Sequence, residues 1–344
     1  MSEGEGLSYR TAGVDLDAAD RAKNALKELV SRTRDENTLS EMGLFGGLYA
    51  LPEGINQPVL VSSADGVGTK LKLAFLSGRH DTVGQDLVNH CVNDILVQGA
   101  IPLFFLDYLA VGKLDEGVVT EVVRGVAQAC LENQCALLGG ETAEMPDFYS
   151  AGEYDLAGFI TGVVAREKIL DGSLIRPGDV LIGLGSSGLH TNGYSLARKI
   201  VFEEMALAVG DLLPGLGQTV GDGLLAVHKS YAGSLRPLLD AGRVHGLAHI
   251  TGGGIPGNLP RILQQGQGAR IEIRSWDVPD VFRILQEGGR VATAEMFRAF
   301  NMGVGMIVVT AAEDADSVAN DLAAAGERSW ILGEVVAGEG VELV

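Results

Sequence analysis

The sequence predicts an α/β protein of the α+β type with two domains. Strand-like apolar runs alternate with helical stretches along its 344 residues, and this alternation is typical of mixed α/β chains. At about 150 residues per domain, this length corresponds to two domains. Turn-forming residues at 171–179 precede a new apolar run, so we divide the chain into domains 1–170 and 171–344.

A first amphipathic helix is predicted at 15–34, where alanines and leucines recur at helical spacing, and a glycine-rich loop follows at 42–48. The predicted strands are 58–63, 101–109, 136–139, 156–165, 179–184, 269–273 and 304–310. The further predicted helices are 82–98, 116–133, 193–209, 223–241, 256–264, 279–286 and 314–325. Because the β-rich segment 101–165 contains a single helix, we expect a mixed first sheet rather than a parallel doubly wound one.

The composition excludes several classes of partner. The chain has 26 basic and 45 acidic residues, a net charge of −19, so no basic field attracts nucleic acid or an anionic membrane. Its 3 cysteines are odd in number and lack C-x-x-C spacing, which argues against disulfides and structural zinc and for a reducing compartment. The acidic start does not resemble a signal peptide, and no apolar run reaches membrane-spanning length. We therefore expect a cytoplasmic protein.

The loop at 65–70, Asp-Gly-Val-Gly-Thr-Lys, follows the apolar run 58–62 and has the residue types of a phosphate loop. Its order fits neither a P-loop nor a dinucleotide fingerprint, which leaves a tight turn as the alternative to a ligand site. Glycines at such a loop let backbone approach a phosphate, and a lysine adds a point charge. The expected phosphate contacts are Gly66, Gly68, Thr69 and Lys70.

Polar side chains occupy one face of the helix predicted to follow this loop. Asp86, Asn89, His90 and Asn93 fall within about 100° of arc, and Asp94 lies one step beyond. Such short oxygen and nitrogen donors suit magnesium and its water shell, whereas an ordinary solvated face carries Lys and Glu pairs. The alternative is a polar face with asparagines that cap the helix.

Asp65 and Asp94 are the carboxylates that we expect to bind Mg²⁺. Magnesium keeps several waters and takes one or two carboxylates together with phosphate oxygens. Asp65 would then recruit the cation that binds the phosphate, instead of repelling the phosphate. We expect Asn93 to contribute to the same site.

Three further glycine-rich turns are candidate ligand sites, and a fourth at 300–306 leads into the last predicted strand. In the first, Gly140 and Glu141 are the candidate ligand contacts, while Glu144 is read as a solubilising loop residue. The second turn, at 183–195, has amides and hydroxyls that suit a monophosphate or ribose, with Ser186, Ser187 and Asn192 as contacts. The third turn contributes Gly252 and Gly253, and the turn at 300–306 is equally well a packing feature.

His190 lies within the second turn. Its unperturbed pKa is near neutrality, so it is a candidate general acid or base. A structural hydrogen bond made by a loop histidine is the alternative. The surrounding residues fit neither a G-x-S-x-G elbow nor a Ser-His-Asp triad.

The order of these motifs resembles the phosphoribosylformylglycinamidine cyclo-ligase family, also called aminoimidazole ribonucleotide synthetases. The resemblance runs from about residue 7 to the C-terminus. The matching stretches are AGVDLDA at 12–18, DGVGTKL at 65–71, CVNDILVQGA at 91–100, FFLDYLAVGKLD at 104–115, GGETAEMP at 139–146, DLAGFITGVV at 155–164, GSSGLHTNGYSLARKI at 185–200, HITGGGIPGNLPRIL at 249–263 and FNMGVGM at 300–306.

The resemblance implies a homodimer formed through the N-terminal sheet and a C-terminal α/β domain that covers the ATP site. It also implies an enzyme that uses ATP and Mg²⁺ to convert formylglycinamidine ribonucleotide into aminoimidazole ribonucleotide. The family's nucleotide and metal site corresponds to 65–70 and 93–94, and the substrate phosphate is expected near 186–193 and 252–254. His190 is the residue expected to handle a proton during ring closure.

Two positions depart from the pattern that the resemblance implies. The family's usual Pro-Thr-Arg is replaced here by Val227-His228-Lys229, so no role of that threonine or arginine is carried over. Related kinases bear an aspartate before the third turn, whereas this chain has His249 and Ile250, so a third carboxylate ligand is not carried over either.

Other members of the same ATP-binding superfamily are the alternative reading. A selenophosphate-synthetase-like kinase would carry a reactive cysteine near the N-terminus, whereas the first cysteine here is Cys91. A hydrogenase-maturation-like protein would end in a cysteine tail, whereas this sequence ends at Val344. A non-enzymatic nucleotide-binding protein would bind ATP without turning it over.

Overall fold

A computed structural model describes residues 16–41 and 43–344, which form ten strands and eleven α-helices. The strands are Pro58–Gly66 (β1), Ile101–Val111 (β2), Ala136–Glu144 (β3), Tyr154–Ala165 (β4), Val180–Gly185 (β5), Gly246–His249 (β6), Gln267–Ile271 (β7), Val304–Thr310 (β8), Ser329–Ala337 (β9) and Gly340–Leu343 (β10). The helices are Leu16–Ser31 (α1), Leu71–Ser77 (α2), Asp81–Leu96 (α3), Glu116–Glu132 (α4), Tyr194–Arg198 (α5), Val220–Leu224 (α6), Ala232–Asp240 (α7), Gly254–Asn258 (α8), Asp280–Gly289 (α9), Thr293–Ala299 (α10) and Ala315–Ala324 (α11).

The first sheet has four strands in the order β1-β4-β2-β3. Strand β4 is antiparallel to both β1 and β2, whereas β2 and β3 are parallel. The prediction of a mixed first sheet is therefore confirmed. Helices α3 and α4 pack on one face, and α4 is capped by Asp115, whose carboxylate accepts the backbone N–H groups of Gly117 and Val118.

The opposite face of this sheet exposes apolar side chains. Leu60 on β1 is 57% exposed and Phe159 on β4 is 47% exposed. Leu106 on β2 pairs directly with Phe159, so all three point to the same side. A face of this kind fits the dimer interface that the resemblance implies, which stays a prediction.

The second sheet has six strands in the order β10-β7-β9-β5-β8-β6. All seven residues of β8, which lies between β5 and the edge strand β6, are buried. Each sheet has its own core cluster on the side where helices pack. The strands of the first sheet all come before residue 170 in the sequence, and those of the second sheet all come after it. The domain limits 1–170 and 171–344 remain a prediction.

Several elements differ from those predicted. The helix predicted at 193–209 is a short α5 that continues as a π-helical turn at 199–204. The helix predicted at 223–241 is divided into α6 and α7 by an irregular stretch at 225–231, here called the connecting segment. Strands β6, β9 and β10 and helices α2 and α10 were not predicted, since most are short and lack a full period of the apolar pattern.

The first predicted helix is confirmed from Leu16 to Ser31, and its proposed start at 15 lies outside the described residues, as does Met42 of the glycine-rich loop. The described part of that loop is exposed, with Phe45 fully accessible. The longest described helix, α4, has 17 residues, and none in the described part combines the length and apolar character that a bilayer crossing needs.

Candidate functional site

The polar face of α3 binds the connecting segment. Asp86 accepts the backbone N–H of His228 at 2.7 Å, and Asn89 donates to the carbonyl of the same residue at 2.7 Å. Asn93 accepts the backbone N–H of Tyr231 at 3.0 Å and donates to the carbonyl of Lys229 at 2.8 Å. An irregular buried segment needs partners for its peptide groups, and α3 supplies them. Most of this face therefore serves the fold, and the expected magnesium shell does not include Asn93.

Lys70 is also directed inward. Its side chain is fully buried, and its ammonium donates to Asp86 at 2.8 Å, to the His190 carbonyl at 3.0 Å and to the Ala226 carbonyl at 2.7 Å. These three bonds use all the donors of a lysine. Burial lowers the pKa of Lys70, and the charge of Asp86 opposes that effect. The structure thus gives Lys70 an anchoring role instead of the expected phosphate contact.

The two predicted metal ligands lie on either side of one histidine. His90 Nε2 lies 2.9 Å from Asp65 Oδ2 and 3.8 Å from Asp94 Oδ2. Asp94 Oδ1 accepts from His249 Nδ1 at 2.9 Å, and Asp94 Oδ2 accepts from Ser63 at 3.1 Å. Asp65 is 41% exposed and Asp94 is 26% exposed as side chains, so both remain open to a ligand.

Both carboxylates are held in the ionised form. Burial acts to raise the pKa of Asp65 and of Asp94, but the hydrogen bonds from His90 and His249 outweigh burial and lower the pKa of each acid. Burial likewise acts to lower the pKa of His90, yet its bond to Asp65 and the charge of Asp94 raise it overall. Two ionised carboxylates that converge from β1 and α3 fit the hard oxygen ligands of Mg²⁺.

Four of the six histidines meet beside these acids and form what we call the histidine cluster: His90, His190, His228 and His249. The His190 and His228 rings stack with centroids 4.0 Å apart, and the Nε2 atoms of His228 and His249 lie 3.0 Å apart. Burial lowers the pKa of His190, His228 and His249, so these three are neutral near pH 7.

Sequence reasoning missed the cluster because its members are far apart along the chain. His228 could have been singled out because it lies in Val227-His228-Lys229, where the family usually has Pro-Thr-Arg. His90 was visible only as one member of a polar helix face, and His249 only as the residue before a glycine turn.

The loop after β1 contacts the second half of the chain. Gly68 has φ = 65°, a left-handed value that favours glycine, and Gly66 donates its N–H to Asp65 Oδ1 at 2.7 Å. Thr69 Oγ1 lies 3.1 Å from Ser195 Oγ on α5. Gly66, Gly68 and Thr69 therefore lie beside Asp65, as predicted for one loop, and next to the start of α5.

The second and third glycine turns meet. A Cβ atom at Gly252 would lie 3.2 Å from Asn192 Oδ1, and Gly253 has φ = 96°. Ser186 is buried and donates to the Gly188 carbonyl at 2.9 Å, so its hydroxyl serves the turn itself. Of the expected substrate contacts, Asn192, Gly252 and Gly253 are brought together.

Ser187 and His190 lie at the other end of the second turn. The Ser187 hydroxyl donates to the Val227 carbonyl, and its backbone N–H donates to His190 Nε2 at 3.3 Å. His190 is fully buried, so its imidazole does not face solvent.

Gly140 and Glu141 are not brought to this site within one chain. The register places Asp65 opposite Gly158, Gly158 opposite Asp107, and Asp107 opposite Gly140. Three strand spacings of about 4.8 Å separate the two edges, or roughly 14 Å. The ATP contacts predicted at Gly140 and Glu141 therefore lie on the edge opposite Asp65.

Asp107, which lies in that same row, was not predicted to be notable. It is on the side of the sheet that the helices cover, and burial raises its pKa to about 7. Asp107 lies on the same face of β2 as the buried Phe105 and Leu109. An acidic residue at such a position in an apolar strand is the sequence signal that could have identified it as a buried carboxyl group.

The chain matches two family models, AIR synthase related protein, N-terminal domain, over residues 51–164, and AIR synthase related protein, C-terminal domain, over residues 176–344. It is 54% identical over 332 residues to a phosphoribosylformylglycinamidine cyclo-ligase of Sorangium cellulosum, which covers 96% of this chain and 95% of that protein.

Solved structures share the fold at lower identity. Thiamine-monophosphate kinase from Stenotrophomonas maltophilia has a TM-score of 0.71 at 18% identity and covers 93% of this chain and 95% of its own. The hydrogenase maturation protein HypE in complex with ATP has a TM-score of 0.64 at 17% identity and covers 91% of this chain and 86% of its own. Because both its domains and its nearly full-length sequence match, the chain belongs to the phosphoribosylformylglycinamidine cyclo-ligase family of ligases.

Proposed function

We propose that this chain uses ATP and Mg²⁺ to close the imidazole ring of aminoimidazole ribonucleotide from formylglycinamidine ribonucleotide, with release of ADP and phosphate. The observation that carries the proposal is the convergence of ionised Asp65 and Asp94 beside a loop of glycines. The name of the Sorangium relative and the ATP in the HypE structure support the same reading.

The reaction requires that the protein position ATP and the substrate, and it does not require a protein nucleophile. An amide oxygen is a poor leaving group until it is phosphorylated, after which an amidine nitrogen attacks the carbon and phosphate departs. Both steps develop charge on phosphate oxygens, which fixed cations and backbone N–H groups stabilise. Mg²⁺, when bound, supplies that positive charge.

Asp65 and Asp94 are the residues that we assign to the cation. They are ionised, partly exposed and contributed by two rigid elements, β1 and α3. Gly66, Gly68 and Thr69 would bring backbone close to the nucleotide phosphates. Because Lys70 already donates all its protons inward, we assign it the task of fixing this loop against the second half.

The substrate is assigned to the place where the second and third glycine turns meet. Asn192 Oδ1 lies close enough to Gly252 to be 3.2 Å from a Cβ placed there, and the left-handed Gly253 follows. These groups suit a ribose or a monophosphate. We assign Ser187 and neutral His190 to the reacting end, where His190 Nε2 would take up the proton that ring closure releases once it gives up the Ser187 N–H.

We also propose a homodimer that forms through the exposed face of the first sheet, and a cytoplasmic location. Leu60 and Phe159 supply the apolar surface, and Glu141 lies on β3, an edge strand of the same sheet. In such a dimer, Gly140 and Glu141 of one subunit are free to serve the nucleotide site of the other. The three cysteines are free and buried, which suits a reducing compartment.

The test mixes purified chain, ATP, Mg²⁺ and formylglycinamidine ribonucleotide and follows ADP and the aromatic amine product separately. Equal amounts of both support the proposal. ADP formed without the amine would indicate a kinase of the same fold, and ATP binding with neither product would indicate a non-enzymatic nucleotide-binding protein.

A further inference from the structure

The Thr191 hydroxyl lies between two members of the histidine cluster. Thr191 Oγ1 is 2.7 Å from His90 Nδ1 on α3 and 3.3 Å from His228 Nδ1 on the connecting segment. His228 Nε2 accepts from Asn93 Nδ2 at 3.2 Å, so a neutral His228 carries its proton on Nδ1 and donates it to Thr191. A hydroxyl both donates and accepts, so Oγ1 can also serve the Nδ1 atom of His90.

His90 extends this support to a proposed cation ligand. Its other ring nitrogen, Nε2, lies 2.9 Å from Asp65 Oδ2, and an ionised carboxylate only accepts, so Nε2 carries a proton. A carboxylate oxygen has a further lone pair, so Asp65 can bind a cation while it accepts this bond. The His90 side chain is buried, and an unpaired Nδ1 there would be costly whether or not it is protonated. Thr191 therefore fixes the ring that orients Asp65.

The backbone that presents Thr191 is held in an uncommon conformation. His190, the preceding residue, has φ = 62°, in the left-handed region that favours glycine. The buried ammonium of Lys70 donates to the His190 carbonyl at 3.0 Å, and this bond holds the turn in place. Strained backbone persists where the surrounding structure enforces it, and it is common at functional sites. The position of the Thr191 hydroxyl is therefore fixed by the buried lysine as well as by the two histidines.

The same hydroxyl also contacts the turn that is assigned to the substrate. Asn192 follows Thr191, and its Nδ2 donates to Thr191 Oγ1 at 3.4 Å. One oxygen thus joins a proposed substrate contact to the histidine that orients a proposed cation ligand. Phosphoryl transfer from ATP to a substrate oxygen needs the two sites in fixed relative positions.

We propose that Thr191 is a positioning residue for the cation site, which it serves by fixing His90 and, through His90, the carboxylate of Asp65. The inference rests on the proposed function, since it concerns the Mg²⁺ that would accompany ATP. Thr191 is not itself a cation ligand, so loss of its hydroxyl should weaken cation binding without abolishing it. The effect should disappear in a chain whose residue 90 can no longer transmit it.

The test measures cation binding without turnover. The full chain is titrated with Mn²⁺ in the presence of a non-hydrolysable ATP analogue, and electron paramagnetic resonance reports the free Mn²⁺. A titration without protein gives the Mn²⁺ that the analogue itself binds. Thr191→Val keeps the side-chain shape and removes the hydroxyl, and we expect Mn²⁺ affinity to fall by about 10-fold, the lower end of the effect of losing outer-shell partners. Thr191→Ser restores the hydroxyl and should bind Mn²⁺ as the wild-type chain does.

Thr310→Val is the matched control. It removes another buried threonine hydroxyl, which donates to the Arg243 carbonyl at 2.7 Å at the end of β8, and it should leave Mn²⁺ affinity unchanged. Thr191→Ala is the second variant if the Thr191→Val chain does not unfold cooperatively in urea. The rescue by serine and this control separate a positioning role from a general loss of stability.

His90→Leu tests whether the effect passes through His90. This change should itself weaken Mn²⁺ binding by about 10–100-fold, since it removes the hydrogen bond to Asp65. In the His90→Leu chain, Thr191→Val should cause no further loss, because the effects of groups in one hydrogen-bond network are not additive. Additive losses would overturn the proposed route.

Asp94→Asn separates failure of this inference from failure of the proposed function. If Asp94→Asn weakens Mn²⁺ binding and loss of the Thr191 hydroxyl does not, the cation site stands and the role of Thr191 is overturned. If the wild-type chain adds nothing to the Mn²⁺ bound by the analogue, or if Asp94→Asn changes nothing, the cation site itself is overturned, and the role of Thr191 with it.

Discussion

Lys70 and Asp86 form an ion pair in which the ammonium lies 2.8 Å from the carboxylate and both side chains are fully buried. The pair joins the loop after β1 to α3, and Lys70 also binds carbonyl groups of His190 and Ala226 in the second half. One side chain therefore fixes the loop after β1, α3 and the connecting segment in a single arrangement.

Lys70→Met should destabilise the chain by about 3–5 kcal/mol, because it leaves the Asp86 charge buried without a partner. The free energy of unfolding from urea titration measures this loss. The double variant Lys70→Met with Asp86→Leu should lose less than the single variant. The control is Lys168→Met, which removes an exposed pair with Asp240 at 3.4 Å and should cost less than about 1 kcal/mol.

Gly84→Ala should separate α3 from α4. A Cβ atom at Gly84 would overlap the Val122 carbonyl and lie 2.7 Å from the Val126 nitrogen. Both are backbone atoms of α4, so the clash cannot be relieved by a change of side-chain rotamer. We expect a loss of about 1–3 kcal/mol or more in the free energy of unfolding.

Gly233→Ala is the matched control for Gly84→Ala. Gly233 lies within α7, and a Cβ atom there would meet nothing within 4 Å. Alanine is the better helix former by about 1 kcal/mol, so this variant should be slightly more stable than the wild-type chain. An equal effect of the two alanines would contradict the close helix contact.

Asp107 should make stability depend on pH. Burial raises its folded-state pKa to about 7, whereas in the unfolded chain the pKa is near the ordinary 3.8. Between these values the folded state binds the extra proton, so this residue's contribution falls as the pH rises from about 4 to about 7 and is lost above it. Asp107→Asn should remove that slope, and parallel urea titrations at pH 5 and pH 8 would show it. A slope unchanged in Asp107→Asn would mean that other groups cause it.

The sequence predicted most helices and strands from their local apolar patterns, but it did not predict which distant groups each polar side chain contacts. The bounds of β8, α3 and α4 were predicted to within a few residues, since each element has a long run or face of apolar side chains. Asp65 and Asp94 were correctly expected to lie near each other. The helix predicted at 223–241 was wrong in its middle, because the connecting segment gains more from the polar groups of α3 than from its own helix bonds.

Lys70 shows why residue type does not fix a role. A lysine after two glycines resembles a phosphate contact, but its direction depends on Asp86, which is 16 residues away, and on carbonyl groups more than 100 residues away. The histidine cluster has the same origin, since α3, the second glycine turn, the connecting segment and the end of β6 each contribute one histidine. Such long-range relations carry no local signal in one sequence.

Asp94→Asn should raise the Mg²⁺ concentration needed for half-maximal product formation by at least about 10-fold, because one of two carboxylate ligands is lost. The fold should be retained, since the asparagine oxygen still accepts from His249. A magnesium titration at saturating ATP measures the change. The control is Asp277→Asn, an exposed aspartate far along the chain, which should leave the titration unchanged. A normal magnesium requirement in Asp94→Asn would remove Asp94 from the cation site.

Phe159→Lys should convert the proposed dimer into single chains. The side chain is 47% exposed in the centre of the apolar face, between Leu106 on β2 and Ala64 on β1, and a lysine there would place a charge in a dimer interface. Light scattering at micromolar protein should give twice the mass of one chain for the wild type and the mass of one chain for the variant.

The control for Phe159→Lys is Leu174→Lys, which alters a 52% exposed leucine outside the first sheet and should leave the dimer intact. If Glu141 of one subunit serves the nucleotide site of the other, the monomeric Phe159→Lys chain should also bind ATP more weakly, while its unfolding by urea stays cooperative. A dimer that survives Phe159→Lys would place the interface elsewhere, and a monomer with unchanged ATP affinity would confine the nucleotide site to a single chain.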